Sequence, residues 1–486
     1  MGETSLNSKR DHRWPGGVAL RGLIRIFLYV AILVAPVLIA TFSRHETDNP
    51  EEPMKTMKAM PRLEDRLDTG AERSERVIRG VGFNFALIGF TMLALQFVIA
   101  SRFRWIEAPF GLDILIAFHR KMAVVATALL ISHPLLLSWA DHEWTLLTHL
   151  GLEWSVNVGR AAIFTLLLTV VISLFRQAFH LSFERWRNLH NGLALSVLGL
   201  GFVHSLFTGN DLESGFLRWF WMALFAVALI SYLYHRGPLH HVLGKHSYSY
   251  EITDLRQETH DTWTVQMRPK DERQIPSHRA GQFHFLTIHG EKVPIEEHPF
   301  TISSAPSEKG VLASTIKQSG DFTHRIGGAR IGDAVSVQGP FGRFCYDLHP
   351  PGSDLVFVAG GVGITPFISM LREMRHTNDS REVLLIYSNR SESDIIFREE
   401  LAELARSPGL NLKIVHVLSR ARRAADEWPG ERGRIGKDLL GKYVGPEPRA
   451  RMYFICGPVG MMETAMDALQ QFGVPDGQIV IERFWL

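Results

Sequence analysis

Long apolar runs fill the first half of the chain and vanish from the second. Six of them, at about 22–42, 81–101, 113–138, 158–178, 190–208 and 215–235, are each close to the length a helix needs to cross a hydrocarbon core. Beyond the sixth, the apolar positions repeat every second residue. Ser247–Ile252, Thr262–Met267, Gln282–Ile288, Val311–Lys317 and Ala334–Gln338 read as short strands between Gly, Pro and charged turns, a spacing that suggests an antiparallel barrel. The last 135 or so residues change again, to strands alternating with helices. Asp354–Ala359, Val383–Tyr387 and Arg451–Ile455 are the strands, and Phe367–Met374 opens a helix. The pattern predicts a multi-domain chain: an α-helical six-span membrane bundle, then an antiparallel β-barrel, then an α/β parallel-sheet domain. The corresponding boundaries are 1–21 for a cytoplasmic N-terminal tail, 22–238 for the bundle, 239–348 for the barrel and 349–486 for the α/β domain.

The hydrophobic content of 46% hides this division because it averages two unlike halves of the 486 residues. A formal charge of +2 is too small to suggest a nucleic-acid partner. The two cysteines, Cys345 and Cys456, lie far apart in the soluble half, which argues against a disulfide framework or an iron-sulfur cluster and fits a reducing compartment. Lys9, Arg10, Arg13 and Arg21 precede the first apolar run and Arg25 lies at its start, and no A-x-A-like cleavage site closes the run, so it reads as a retained span.

Charge orients the bundle. Arg102, Arg104, Arg176, Arg185, Arg187, Arg236 and Lys245 follow the even-numbered spans, whereas Asp141, Glu143, Glu153, Asp211 and Glu213 fill the short loops after spans three and five. The positive-inside rule then places both termini and the soluble domains in the cytoplasm of a multi-pass plasma-membrane protein. The loop from about 43 to 80, rich in Pro, Glu, Arg and Met, would face outside.

Two of these spans carry paired histidines. His119 and His133 lie in span three and His190 and His204 in span five, each pair fourteen residues apart. Fourteen residues are close to four helical turns, so each pair falls on one helix face with about 21 Å of rise between its members. Both spans run inside to outside, which pairs His119 with His190 near the cytoplasm and His133 with His204 near the exterior. One intramembrane histidine is often a hydrogen-bonding residue between helices. Four at matched depths are costly to insert and suit the axial ligation of two b-type haems by neutral imidazole. Arg120 and Lys121 beside His119 would meet haem propionates or snorkel as ordinary inside-facing charges. Pro134 directly follows one histidine and would loosen or kink its helix.

In the barrel segment, His298-Pro299-Phe300-Thr301 opens a run too rich in Pro, Ser and Thr for a plain strand. Here the chain resembles the ferredoxin-NADP reductase-like domains, in the form found in the NADPH oxidase and ferric reductase superfamily. The resemblance implies that Phe300 covers one face of FAD, Thr301 hydrogen-bonds near the flavin's reactive nitrogen, and His298 approaches the ribityl-pyrophosphate chain. Soluble members usually carry arginine where His298 stands. Gly320-Asp321-Phe322-Thr323 matches the second flavin motif, in which backbone around Gly320 and Phe322 and the Thr323 hydroxyl would hold pyrophosphate. Gly339-Pro340-Phe341-Gly342-Arg343-Phe344 resembles the turn that closes the barrel.

The strand Asp354–Ala359 runs into Gly360-Gly361-Val362-Gly363-Ile364-Thr365-Pro366 and then a helix, a ready phosphate site because glycine admits the ligand and a helix N-terminus favours anions. The string matches the nicotinamide-nucleotide motif of the same reductases. Ser388 and Arg390 end the next strand, where family members meet the 2′-phosphate of NADPH. The fork of Arg390 suits that task, which favours NADPH over NADH; the alternative is a surface arginine paired with Glu392 or Asp394. Cys456-Gly457-Pro458 lies beside the nicotinamide in the family. A terminal aromatic there covers the flavin until nicotinamide displaces it; Phe484 matches the E-x-F ending and Trp485 adjoins it. Thr301, Cys456 and Phe484 are thus the residues nearest the chemistry.

The resemblance covers the chain from about residue 80 onward. It implies a compact, prokaryotic-type NAD(P)H-dependent flavohaem oxidoreductase, with no EF-hand loop before the bundle. Electrons from cytoplasmic NAD(P)H would pass through FAD and two haems to an acceptor outside. The form HPFTISSAP favours dioxygen as that acceptor, as in superoxide-producing oxidases. The equal fourteen-residue separations favour ferric chelate. A periplasmic redox protein is the third candidate, with Trp139, Trp144, Trp154 and the loop 43–80 as its visible docking features; Trp there is more often a membrane-interface anchor.

Overall fold

In a computed structural model, residues 16–47, 70–208, 212, 215–236, 247–271, 277–350, 352–420 and 428–483 are described. They form two compact units, divided between Gly244 and Lys245.

The first unit is helical. Its elements are α1 (Gly16–Thr47), α2 (Gly70–Ala100), α3 (Arg104–Phe110), α4 (Leu112–Ala140), α5 (Thr145–Thr148), α6 (Trp154–Leu174), α7 (Phe183–Thr208) and α8 (Gly215–Arg236). Six of these are long and apolar enough to cross a membrane, and they coincide with the six expected spans. Two ends differ. The second helix starts at Gly70, not near 81, because the preceding Glu- and Arg-rich stretch consists of good helix formers that a hydropathy window overlooks. The fifth span starts at Phe183, so His190 sits two turns inside its helix. Pro134 does not end α4, which continues to Ala140.

Glycines set the closest helix contacts. A Cβ at Gly89 of α2 would lie 2.8 Å from Leu130 of α4, and one at Gly201 of α7 would lie 2.9 Å from Phe90 of α2. Small residues at such crossings let backbones approach where lipid provides no hydrophobic drive. Around them Phe90 stacks on Trp221 of α8 at 5.1 Å, and the buried Trp221 indole donates to Ser205 Oγ at 2.8 Å.

The second unit holds two sheets. The first, antiparallel, comprises β1 (Ser247–Thr259), β2 (Thr262–Pro269), β3 (Phe283–His289), β4 (His298–Thr301), β5 (Leu312–Lys317) and β6 (Ala334–Phe341), in the order β4-β3-β6-β1-β2-β5. Alternate residues such as Tyr250 and Ile252, Leu286 and Ile288, and Val335 and Val337 make its core. The second sheet comprises β7 (Asp354–Gly360), β8 (Glu382–Asn389), β9 (Asn411–Leu418), β10 (Glu431–Arg432), β11 (Arg451–Cys456) and β12 (Ile479–Glu482), in the parallel order β10-β9-β8-β7-β11-β12. Its helices are α9 (Thr365–Thr377), α10 (Arg398–Arg406), α11 (Lys437–Val444) and α12 (Val459–Gln471). Phe357 and Leu385 pack on one face of this sheet and Val356 and Ile386 on the other, which is why the strands read as unbroken apolar runs.

Two expectations in the barrel are corrected. His298–Thr301 is a true strand, paired with β3 at the end of the sheet order, where Pro299 lies opposite Phe285 and its missing N–H is tolerated. Gly339–Phe341 belongs to β6, with a bulge in its pairing to β3 between Phe283 and Phe285, and is not a separate closing turn.

Candidate functional site

In the helical unit, α4 and α7 run in the same direction and bring the four histidines together in two sets. His119 and His190 face each other with ring centroids 6.4 Å apart and planes at 70°. His133 and His204 lie within electrostatic reach of each other toward the far ends of the same helices. His119 and His133 stand seven residues inside the two ends of α4.

Hydrogen bonds fix the tautomers of three rings. His133 Nδ1 lies 3.0 Å from the Gly82 carbonyl and His204 Nδ1 lies 2.9 Å from the Ser155 carbonyl. A carbonyl only accepts, so each Nδ1 carries the hydrogen. His190 Nδ1 lies 3.1 Å from Ser173 Oγ, whose own proton goes to the Thr169 carbonyl at 2.7 Å; His190 Nδ1 must therefore donate as well. In all three rings Nε2 keeps its lone pair. His119 Nδ1 is buried with no hydrogen-bond partner among the described residues. Imidazoles whose Nδ1 is engaged and whose Nε2 is free are the donor set that haem iron takes, so the residues fit that group.

Glycine is required beside one of these rings. A Cβ at Gly159 of α6 would fall 2.6 Å from His204 Nδ1, and one at Gly82 of α2 would meet Leu136 at 3.3 Å. Gly82, Ser155, Gly159 and Ser173 were not visible as site residues in the sequence, because each acts through a contact between distant helices.

In the second unit the flavin motif lies on β4. The His298 ring stacks on Phe322 at 4.1 Å and its Nε2 is 3.0 Å from Glu296 Oε2, so this histidine is held in place by its own lobe. Phe300 is half-buried 6.2 Å from the Phe322 ring, and Thr301 is buried. Phe322 itself is a core residue of the barrel. The Thr323 hydroxyl accepts from the Ser319 and Gly320 amides at 2.9 and 2.8 Å and closes the Gly320 turn. Behind the motif, fully buried His284 lies opposite Phe300 and contacts Ser314 Oγ at 2.6 Å. Burial, followed by the charge of nearby His278, pushes its pKa down to about 3.

The nucleotide turn is built from two strand ends pressed together. A Cβ at Gly360 would meet Pro458 and Met461 at 2.7 Å, and one at Gly363 would lie 2.3 Å from the Cys456 carbonyl. Gly361 takes a φ of 53°, and its carbonyl accepts from the buried Tyr387 hydroxyl at 3.1 Å. Ile364, Thr365 and Pro366 are buried as α9 begins. Gly457, at the tip of the other strand, has a φ of 158°. Cys456 is buried, and burial holds its thiol well above the ordinary range, hence neutral. Ser388 is half-buried and Arg390 exposed at the end of β8. Glu392 pairs with Arg398, and Asp394 accepts from Ser391, so neither holds Arg390. Phe484 and Trp485 lie outside the described residues.

One contact set missed in the sequence ties the two sheets together. Arg372 of α9 donates to the Ser303 carbonyl at 2.7 Å, makes a forked pair with Glu400 at 2.6 and 2.8 Å, and covers the Phe397 ring at 5.3 Å. Ser369 adds a bond to the Ser304 carbonyl at 2.7 Å.

Three sequence families match the chain in order. The ferric reductase like transmembrane component matches residues 85–201, an FAD-binding domain 248–342, and an oxidoreductase NAD-binding domain 357–467. The chain matches the ferric reductase/NADPH oxidase superfamily with a ferredoxin-NADP reductase-like module. It is therefore a multi-pass membrane protein with FAD- and NAD(P)-binding domains, and it spans only about a quarter to two thirds of the length of most of the curated relatives it matches.

Among curated proteins, the NADH nitrate reductase of Volvox carteri is 30% identical over 42% of this chain and 27% of its own length. NADH-cytochrome b5 reductase 1 of Candida glabrata is 29% identical over 46% and 79%. Among solved structures, the cytochrome b5 reductase domain of Ulva prolifera nitrate reductase superposes with a TM-score of 0.43 at 22% identity, covering 49% of this chain and 97% of that one.

Proposed function

We propose that the chain carries electrons from cytoplasmic NAD(P)H across the plasma membrane to an acceptor outside, with dioxygen as the favoured acceptor and superoxide as the product. The observation that carries this reading is the set of four imidazoles, paired at two levels of one helical bundle, with Nδ1 engaged in three of them. When bound, FAD turns a two-electron hydride into single electrons, and haem iron carries them one at a time.

His119 and His190 hold one haem and His133 and His204 the other, in a bundle spanning roughly 22–238. A barrel of about 239–348 takes FAD: Phe300 lies along the flavin, Thr301 offers its hydroxyl, and the turn from Gly320 through Phe322 to Thr323 meets the pyrophosphate, with His298 steadied by Glu296. The domain of about 349–486 takes the nucleotide on Gly360, Gly361 and Gly363, with Ile364, Thr365 and Pro366 anchoring the turn from beneath. Gly457 and Pro458 shape the neighbouring turn, and Cys456 presents a neutral thiol toward nicotinamide. Phe484 is the aromatic that nicotinamide displaces. Ser388 and Arg390 face the 2′-phosphate, and the fork of Arg390, exposed and unpaired among the described residues, supports NADPH. The relatives named for NADH support NADH as the second reading.

The transmembrane family match supports a ferric-chelate reductase as the second reading of the acceptor. Purified protein in detergent, loaded with FAD and given NADPH, is expected to consume oxygen and to reduce cytochrome c in a superoxide dismutase-sensitive way. Ferric-chelate reduction that persists without oxygen would establish the metal reductase instead. Haems that stay reduced in air would point to a periplasmic redox protein, and protein without haem bands would overturn the reading altogether.

A further inference from the structure

The glycines of the nucleotide turn differ in what requires them. Cβ atoms at Gly360 and Gly363 would strike Pro458, Met461 and the Cys456 carbonyl, so these two let the ends of β7 and β11 touch. A Cβ at Gly361 would meet no atom within 4 Å, so packing does not require glycine there; its φ of 53° does. A half-exposed glycine with open space around it reaches either sign of φ at little cost, and the peptide plane that follows is then free to turn. Sterics alone do not fix the Gly361–Val362 peptide.

Tyr387 does. It lies on the neighbouring strand, opposite Ala359, and is fully buried. Its hydroxyl accepts from the Ile396 amide at 3.3 Å, which leaves its own hydrogen for the Gly361 carbonyl at 3.1 Å. Burial pushes the phenol pKa above the ordinary 10, so the hydroxyl stays a donor at neutral pH. The peptide is trans, and in a trans peptide the N–H points away from the C=O. A carbonyl drawn inward to Tyr387 therefore turns the Val362 N–H outward. Val362 lies in the opening turn Gly361–Ile364 that leads into α9, where an amide has no acceptor within the helix.

We propose that Tyr387 is a positioning residue for the dinucleotide: by holding the Gly361 carbonyl inward, it presents the Val362 amide as a fixed donor to the diphosphate. The proposal rests on the reading of this turn as the nucleotide site. A peptide that turned freely would offer phosphate its carbonyl oxygen in one orientation and its N–H in the other. Fixing the donor orientation beforehand removes that ordering cost from binding. Tyr387 itself touches no ligand, because both backbone partners of its hydroxyl belong to the protein.

Full-length, FAD-loaded protein in detergent is titrated with ADP-ribose, which carries the diphosphate common to NADPH and NADH, and binding is measured by calorimetry. Single-residue hydrogen exchange is followed on the same samples. In the wild type, the Val362 amide should exchange freely and become protected when ADP-ribose binds. Tyr387→Phe should raise the Kd about five- to tenfold and remove most of that protection, while amides inside β7 and α9 keep their wild-type exchange. An unchanged Kd with unchanged Val362 protection would overturn the role of Tyr387 and leave the nucleotide reading intact. Faster exchange throughout β7 and α9 would make Tyr387 a core residue only and overturn that role as well. If Tyr387→Phe does not fold, the wild type still decides: a Val362 amide already protected in the free protein, or unprotected in the bound one, overturns the proposal. Wild-type protein that binds no ADP-ribose would overturn the nucleotide reading together with it.

Discussion

A single methyl group decides whether His204 can keep its place. The Cβ of Gly159→Ala would fall 2.6 Å from the ring nitrogen and 2.7 Å from Cε1, so either the ring turns or α6 and α7 part. Such overpacking costs about 1–3 kcal/mol, and under the proposed ligation the variant should lose one of the two haems as well as thermal stability, read by haem content and melting of the detergent-solubilised protein. Gly82→Ala, whose nearest contact is 3.3 Å, should keep both haems. His284 is a second residue with a measurable signature. Its folded pKa of about 3 lies below the ordinary 6.5, so between these values the unfolded chain binds the extra proton. Stability should therefore be intact above about pH 6.5 and fall as the pH drops toward 3, by up to about 1.4 kcal/mol per pH unit. The temperature of flavin release should show this fall, and His284→Leu should flatten it. The four membrane histidines were legible in the sequence because their spacing is itself a helical pattern. Gly159 and His284 were not, since a lone glycine or a strand histidine means nothing until its neighbour across the fold is known.

At the scale of elements, periodicity served well where a segment packs one face and poorly where chemistry interrupts it. The six spans and most strands stood out, whereas β4 was hidden by Pro299 and the polar residues after it; its place at the end of the sheet order makes the proline harmless. The helix α9 shows what an element does beyond its sequence pattern. It begins at the glycine-rich turn and, through Arg372, reaches the carbonyl of Ser303, two residues past the flavin motif. Arg372→Met keeps the length and removes the charge-assisted bonds to Ser303 and Glu400; it should destabilise the reductase unit by about 1–3 kcal/mol, measured as an earlier flavin-release midpoint. At the end of β8, Arg390→Gln should lower the ratio of kcat/KM for NADPH over NADH by roughly tenfold, about 1.4 kcal/mol, while leaving kcat with NADH unchanged. An unchanged ratio would remove Arg390 from 2′-phosphate recognition.

For the whole molecule, the order of modules is the main functional statement. A membrane bundle is followed by FAD- and NAD(P)-binding domains, and in the proposed function this order joins a source of reducing equivalents to a path through lipid. The proposed orientation predicts that a reporter fused to the C-terminus is active in the cytoplasm and that one inserted at Glu143, between α4 and α5, is active outside; the reverse result would invert the direction of electron flow. The sequence by itself determined the class of each module, the number of spans and the four intramembrane imidazoles. These follow from local rules: hydrocarbon thickness sets span length, pleat and helix set the periods, and nucleotide turns demand glycine. Only the tertiary structure decided which nitrogen of three histidines holds the proton, which carbonyls take it, and how the nucleotide turn presses against Cys456. Those depend on contacts between residues tens of positions apart, such as Gly82 with His133 and Ser155 with His204, and no local pattern in the chain encodes them.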